Sequence, residues 1–279
     1  MRAGRFKLCH TLVADVAFVA IATCGAGRFE MLKLDLILVR RTCFPASPFS
    51  KIVRQFRRSL FGHNGLPLPD GFCILRQSMR TALISDIHGN ELALNAVLDD
   101  IHRRGADQTV CLGDVATLGP RPLAVLERLQ KLGCACILGN HDEFMFEPSL
   151  VADYTRIPVL LEAVAWCRDE LLSDAIDFIR SFQGSLKLPL DDRNELLLFH
   201  GTPESNVADL LATTAPEVLD AMLAGQQATV MAGGHTHIQM LRQHRGFLLV
   251  NPGSVGIPFK EYVGGGPPTV LPHAEYATI

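Results

Sequence analysis

The chain has 279 residues and a formal net charge of -3, and 48% of its residues are hydrophobic and 20% charged. These values are ordinary for a soluble protein with one large domain and an appendage. Residues 1–78 contain 12 basic and 4 acidic residues, whereas residues 79–279 contain 14 basic and 25 acidic residues. The acidic excess of residues 79–279 argues against a broad groove that binds nucleic acid.

The composition of residues 1–78 predicts a poorly structured amino-terminal extension. An apolar stretch at 12–23 follows basic residues as in a secretion signal, but it is too short to span a bilayer, and residues 44–71 are rich in Pro, Gly, Arg and Ser. We favour translation from Met79, directly before the first core strand, so that 1–78 need not belong to the natural protein. The alternatives are a processed targeting segment, which would make the protein exported or organellar, and a structured domain.

From Met79 onward the pattern alternates strands and helices. Apolar runs at 81–84, 109–112 and 135–138 predict buried strands, and the amphipathic stretches between them predict crossover helices at 91–103 and 122–132. The order strand, helix, strand, helix, strand indicates a parallel α/β architecture.

The rest of the body continues this pattern. Residues 158–182 are mostly helical and include Trp166, which we expect in the core. A hairpin follows at 185–199, then a helix at 216–224 and strands at 229–232, 238–242 and 247–250.

The eight cysteines show no zinc-type pairing of spacings, and several fall in apolar runs. We therefore predict that the cysteines are free thiols in a reducing compartment and that the protein is cytoplasmic.

Five of the ten histidines come immediately after strand-like runs, beside Gly, Asn, Asp or Thr: His88, His141, His200, His235 and His237. Because such loops lie at one edge of a sheet, their side chains can converge. A set of carboxylate, carboxamide and imidazole ligands suits Mn, Fe, Zn or Co better than Ca or Cu(I).

These motifs together resemble the calcineurin-like metallophosphoesterases. The resemblance is carried, in chain order, by Asp86-x-His88, Gly113-Asp114, Gly139-Asn140-His141-Asp142, His200 and Gly234-His235-x-His237. The closing Asn251-Pro252-Gly253-Ser254-Val255-Gly256 resembles the small prokaryotic phosphodiesterases and phosphatases of that superfamily. The resemblance covers 79–279 and implies one metallophosphoesterase domain, a sandwich of two mixed β-sheets flanked by α-helices, with a dinuclear centre at one edge.

The resemblance also implies a role for each matching residue. Asp86, His88, Asp114 and His237 would hold the first ion, and Asp114, Asn140, His200 and His235 the second. His141 would donate a proton to the leaving oxygen or stabilise the phosphoryl charge, and Asp142 would orient His141 or cap the following helix. The ions would be two divalent transition metals, with Mn in first place and Fe, Zn, Co or Ni as alternatives.

One family feature is missing. Where many members have Asp-Arg-Gly, with an arginine that clamps phosphate, this chain has Thr117-Leu118-Gly119, and Arg121 is at best a substitute. We expect hydrolysis of a small phosphodiester or phosphomonoester by attack of a metal-bound hydroxide, without nucleic-acid or membrane partners. The alternatives are a nuclease with the same metal chemistry and a non-catalytic scaffold, and the oligomeric state is open.

Overall fold

A computed structural model describes residues 17–25, 28–40, 79–263 and 266–279 of the chain. They form two mixed β-sheets with helices packed on the outside. The strands are β1 (Ala17–Gly25), β2 (Arg28–Arg40), β3 (Thr81–Ile84), β4 (Gln108–Cys111), β5 (Ala135–Cys136), β6 (Leu186–Pro189), β7 (Glu195–Leu198), β8 (Val230–Ala232), β9 (Met240–His244), β10 (Phe247–Asn251) and β11 (His273–Thr278). This architecture confirms the predicted fold class.

The two sheets place a parallel set of strands at their centres. The first has the order β1-β2-β11-β3-β4-β5, in which β3, β4 and β5 are parallel. The second has the order β6-β7-β8-β10-β9, in which β7, β8 and β10 are parallel. The loops that leave these strands at their carboxyl ends therefore collect at one edge of each sheet.

The described helices connect and cover the sheets. They are α1 (Glu91–Arg104), α2 (Pro122–Leu132), α3 (Asn140–Glu143), α4 (Ser149–Tyr154), α5 (Pro158–Asp169), α6 (Ser173–Arg180) and α7 (Pro216–Met222). Helix α1 begins where Asn90 Oδ1 accepts from the Ala93 backbone N–H (3.1 Å) and ends at Gly105, whose φ of 76° is left-handed. None of the described helices combines the length and the hydrophobicity that crossing a membrane requires.

The core has a layer on each face of the sheets. Leu83 and Val110 of the first sheet pack between the sheets against Leu198 and Val250 of the second. Their strand neighbours Ala82, Ile84 and Cys111 face the other way, toward the helices. Burial on both faces explains why these strands are continuously apolar in sequence.

Several sequence predictions differ from the structure. The predicted helical region 158–182 is two helices, α5 and α6, and β11 was not predicted. Trp166 is 45% exposed, so its expected place in the core is wrong. The four cysteines whose side chains are described, Cys111, Cys134, Cys136 and Cys167, are free, as predicted.

Strands β1 and β2 lie within the predicted amino-terminal extension, residues 1–78. Leucines at alternate positions, Leu32, Leu34, Leu36 and Leu38, give β2 a strand period, and β2 pairs along its length with β11. Residues 41–78 lie outside the described residues. It stays a prediction that these residues are poorly structured and that translation starts at Met79.

Candidate metal centre

The seven residues predicted to bind metal all follow the carboxyl ends of strands and are all buried. The first sheet contributes three loops and the second contributes two. In chain order, β3 is followed by Asp86 and His88, β4 by Asp114, β5 by Asn140, β7 by His200, and β8 by His235 and His237.

The structure brings these side chains into two groups. Ligand atoms of the first group lie within 4.8 Å of one another, and so do those of the second. Asp114 belongs to both, and Asn140 Oδ1 reaches the second group because it lies 3.2 Å from His200 Nε2. The first group is Asp86, His88, Asp114 and His237, and the second is Asp114, His200 and His235.

The two oxygens of Asp114 face different groups. Its Oδ2 lies 3.8 Å from His88 Nε2, whereas its Oδ1 lies 3.4 Å from His200 Nε2. A carboxylate placed in this way has one anionic oxygen available to each of two cations.

Hydrogen bonds to backbone carbonyls fix two of the imidazole rings. His200 Nδ1 donates to the Leu112 oxygen (2.7 Å), and His237 Nδ1 donates to the Ile257 oxygen (2.9 Å). In a neutral ring the other nitrogen, Nε2, then carries a lone pair. These Nε2 atoms face oxygens, His200 Nε2 those of Asp114 and Asn140 and His237 Nε2 that of Asp86 (Oδ1, 3.3 Å), so each must either carry a proton or share a cation with them.

Two lone pairs that face each other repel unless a proton or a metal ion lies between them. His88 Nε2 and His237 Nε2 are only 3.0 Å apart, and the Nδ1 atom of His235 is buried without a hydrogen-bond partner. Oxygen and imidazole donors in this arrangement fit divalent transition metals.

The electrostatics of the buried carboxylates also indicate that the centre needs positive charge. Burial opposes ionisation of Asp114, but the neighbouring histidines, His200 first, hold the pKa of this carboxyl well below its usual value. Burial likewise lowers the pKa of His200, yet the Asp114 carboxylate outweighs it and raises that pKa to about 10. Among the described residues, no lysine or arginine forms an ion pair with Asp86 or Asp114. The buried carboxylates therefore need positive charge, which protons on histidine or metal ions can supply.

The backbone is strained at the same residues. Eight described residues other than glycine have positive φ, and five of them are predicted ligands: Asp86, His88, Asp114, His235 and His237. Such conformations cost about 1–3 kcal/mol each and cluster at functional sites. A Cβ on Gly139 would lie 2.1 Å from Asp114 Oδ1, so only glycine allows the third strand loop to approach this carboxylate.

Comparison with known proteins agrees with this geometry. Residues 79–270 match the calcineurin-like phosphoesterase superfamily domain. The chain belongs to this superfamily. The match covers more than half of the chain and confirms the resemblance carried by its motifs.

Several individual proteins are similar to this phosphoesterase chain. Phosphodiesterase YfcE of Escherichia coli K12 is 28% identical over 199 residues, which is 68% of this chain and 84% of that protein. An uncharacterized protein of Methanocaldococcus jannaschii is 28% identical over 195 residues, which is 63% of this chain and 76% of that protein. The crystal structure of a metallophosphoesterase from Sphaerobacter thermophilus aligns with a TM-score of 0.52 at 22% identity, covering 72% of this chain and 87% of that one.

Asp142 of the phosphoesterase domain acts as a backbone acceptor. Its carboxylate accepts from the N–H groups of Asp114 (2.7 Å), Val115 (2.8 Å) and Gly139 (3.1 Å). Burial, together with the charge of Asp114, raises the pKa of Asp142 to about 7. No hydrogen bond joins Asp142 to His141 among the described residues. The structure thus favours the cap interpretation over the orienting role that we considered for Asp142.

His141 lies at the edge of the centre. It is 7% exposed, its ring meets that of His88 edge to face at 5.2 Å, and its Nδ1 atom has no hydrogen-bond partner. Burial lowers its pKa to about 4 against the opposing effect of Asp114, and the nearby histidines lower it further. A neutral imidazole with a free nitrogen is therefore available beside both groups.

Sequence reasoning missed residues that surround this candidate metal centre. Thr117 Oγ1 lies 3.3 Å from His88 Nδ1, and the Tyr154 ring lies 5.7 Å from that of His141. Thr117 had been noticed only as a departure from the family pattern, and no local signal marks Tyr154. Arg121, the possible substitute clamp, instead meets Glu91 at 3.2 Å.

The closing loop at 251–256 turns beside the centre. Asn251 Nδ2 donates to the Gly234 oxygen (2.6 Å) and to Thr236 Oγ1 (3.0 Å), and Ser254 Oγ donates to the Asp86 oxygen (2.7 Å). Thr236 thereby braces a loop. Thr202, which follows His200, bonds within its own loop to Ser205.

Proposed function

We propose that this chain is a phosphoric ester hydrolase that uses two divalent transition-metal ions, with Mn preferred and Fe, Zn, Co or Ni as alternatives. The observation that carries the proposal is the pair of buried ligand groups that share Asp114, because two cations bridged by one carboxylate would supply the positive charge that both groups need. The ligands would be Asp86, His88, Asp114 and His237 for one ion, and Asp114, Asn140, His200 and His235 for the other.

When bound, the ions would activate the attacking water and neutralise the developing charge on phosphorus. The protein supplies the rest of the chemistry. Thr117 and the carbonyl oxygens of Leu112 and Ile257 orient three of the imidazole rings. Asp142 holds the backbone of Asp114 in place through its 2.7 Å hydrogen bond.

His141 would hold the phosphoryl group or the leaving oxygen. Its low pKa leaves the ring neutral near pH 7, so it would donate a hydrogen bond from one ring nitrogen rather than carry a charge. Its backbone N–H also donates to Asp114 Oδ1 at 2.9 Å, which ties its position to that of the shared carboxylate.

A small phosphodiester or phosphomonoester suits the centre better than a nucleic acid. The acidic excess of 79–279, with 25 acidic and 14 basic residues, disfavours a polyanion. The name of the similar phosphodiesterase YfcE supports an ester of this class. Free thiols at Cys111, Cys134, Cys136 and Cys167 support a reducing compartment such as the cytoplasm.

The test is turnover by the purified full chain loaded with Mn, on an aryl phosphodiester and on the matching monoester. We expect metal-dependent release of the aryl alcohol from at least one of them. His141→Ala should reduce kcat by about 10² to 10³ if its imidazole stabilises the transition state, while bound metal stays unchanged.

The alternatives predict other results. A nuclease would cleave single- or double-stranded DNA or RNA faster than either aryl ester. A non-catalytic scaffold would bind metal and turn over none of these substrates, which would refute the hydrolase proposal.

A further inference from the structure

One carboxylate borders the centre without belonging to the predicted ligand set. Asp209 lies in the loop between β7 and α7, and its Oδ1 is 3.4 Å from His235 Nε2. The side chain of Asp209 is 41% exposed, whereas that of His235 is 5% exposed. Asp209 thus has one side against the second ligand group and the other toward solvent, which places it at the entrance to the centre.

Contacts on two sides hold this carboxylate in position. The Tyr262 hydroxyl donates to Asp209 Oδ2 at 2.6 Å, from the loop that follows the closing motif. On the same loop as Asp209, Asn206 Nδ2 donates to Glu143 Oε2 (2.9 Å) at the end of α3. The Asp209 loop is therefore fastened to both neighbouring loops.

The charge of Asp209 has no strong local compensation. Its partners among the described residues are the His235 imidazole and the neutral Tyr262 phenol, and no lysine or arginine forms an ion pair with it there. Since His235 is one of the proposed ligands of the second ion, a phosphate ester bound at that ion would come near a fixed negative charge.

We propose that Asp209 is a specificity-determining residue that disfavours phosphomonoesters relative to phosphodiesters. This inference rests on the proposed hydrolase function. At pH 7.5 a phosphomonoester carries a charge of about -1.5 to -2, whereas a diester carries one negative charge. Because Coulomb repulsion scales with the charge of the substrate, Asp209 raises the energy of a bound monoester more than that of a diester.

Asp209→Asn tests the charge while keeping the shape. The asparagine oxygen can still accept from the Tyr262 hydroxyl, and its NH2 group then takes the place of the oxygen that faces His235. We expect kcat/KM for an aryl phosphomonoester to rise about tenfold relative to that for the matching methyl aryl diester, for the full chain loaded with Mn. The effect should shrink with added salt, because Asp209 is partly exposed.

Two matched variants separate charge from anchoring. Asp209→Glu keeps the charge and should retain the wild-type preference for diester. Tyr262→Phe removes the anchoring hydroxyl without changing the charge, so it should alter the monoester to diester ratio much less than Asp209→Asn does.

Binding of inorganic phosphate, measured by calorimetry on the metal-loaded chain, gives a readout without turnover. Phosphate should bind Asp209→Asn more tightly than wild type, with bound metal unchanged by elemental analysis. Tighter phosphate binding together with the shifted ester ratio would support the proposal.

The outcomes keep the two proposals apart. If wild type hydrolyses esters but Asp209→Asn leaves both the ratio and phosphate binding unchanged, the role of Asp209 is refuted and the hydrolase stands. If Asp209→Asn loses metal, Asp209 supports the His235 ligand instead, and the specificity role is again refuted. If wild type turns over neither ester, the hydrolase proposal fails and this inference fails with it.

Discussion

Two clusters of aspartate and histidine in this chain have opposite hydrogen-bonding character. Where β9 meets β10, Asp220 Oδ1 lies 2.7 Å from His244 Nε2, and the Arg245 guanidinium donates to both carboxylate oxygens. At the centre, Asp114 faces His200 Nε2, whose other nitrogen is already the donor to a carbonyl oxygen. In the first cluster a permanently charged guanidinium donates to both carboxylate oxygens, whereas in the second the side chains that face Asp114 are imidazoles, which must be protonated or share a cation with it.

The difference in burial strengthens this contrast. The Asp220 side chain is 37% exposed, and Arg245 first and then His244 lower its pKa to about 2. The Asp114 side chain is 1% exposed and has histidines as its only basic partners among the described residues. Residue types alone therefore do not identify a metal site. The orientation of lone pairs in a buried volume does, because water cannot satisfy them there.

The largest effect is expected for Asp114→Asn, which tests the contrast between the two clusters directly. We expect loss of more than about 10³ in metal-dependent kcat/KM and a fall in bound metal from two ions, because an amide replaces the only carboxylate shared by both groups. Elemental analysis and ester turnover measure both effects. Asp220→Asn, the matched change in the other cluster, should keep both values, and full turnover by Asp114→Asn would contradict the dinuclear proposal.

Metal removal should destabilise the fold at the centre. An ion present at 100 times its dissociation constant stabilises the folded state by about 2.7 kcal/mol, and the buried ligand groups lose this compensation when the ion is chelated. Denaturant unfolding with Mn and with chelator measures the difference. Asp220→Asn should show the same metal-dependent stabilisation as wild type, and an unfolding free energy that ignores Mn in both proteins would argue against metal binding.

The convergence of the candidate ligands was predictable because the signal is local. Asp86, Asp114 and His235 each follow an apolar run and adjoin glycine or a second polar ligand, and a sheet edge gathers such loops whatever the rest of the fold. The order of the motifs then fixed the superfamily and the sandwich of two sheets.

The remaining parts depend on contacts that sequence does not show. The carbonyl oxygens of Leu112 and Ile257 orient two histidines, but every residue has a carbonyl, so nothing marks these two. Strand β11 gains its place by pairing with β2 and β3, which are far away in sequence. His244 lies outside the motifs and nothing near it in sequence predicts burial, yet it is 7% exposed and its ring nitrogen contacts Asp220.

A smaller effect tests a group that orients a ligand from behind. Thr117→Val removes the hydroxyl 3.3 Å from His88 Nδ1 and preserves the shape of the side chain. We expect metal affinity to fall by about 10- to 100-fold, measured by competition with a chelating dye. Thr229→Val is the matched control, since Thr229 Oγ1 bonds to Asn194 away from the centre. Equal affinity in the Thr117 variant and wild type would mean that the ring of His88 is fixed by packing alone.

The smallest effect is expected in the satisfied cluster. Asp220→Asn should reduce stability slightly and in a salt-dependent way, because its partners are partly exposed. The pKa of Asp220 lies below its usual 3.8, at about 2, so the carboxylate stabilises the folded state above about pH 4 and this contribution disappears as the pH falls through 2. Unfolding of wild type and variant between pH 7 and pH 2 measures the difference. If the difference in unfolding free energy between wild type and Asp220→Asn increased on acidification, the hydrogen-bond donors around Asp220 would not stabilise its carboxylate. The contrast between the Asp220 and Asp114 clusters would then not hold.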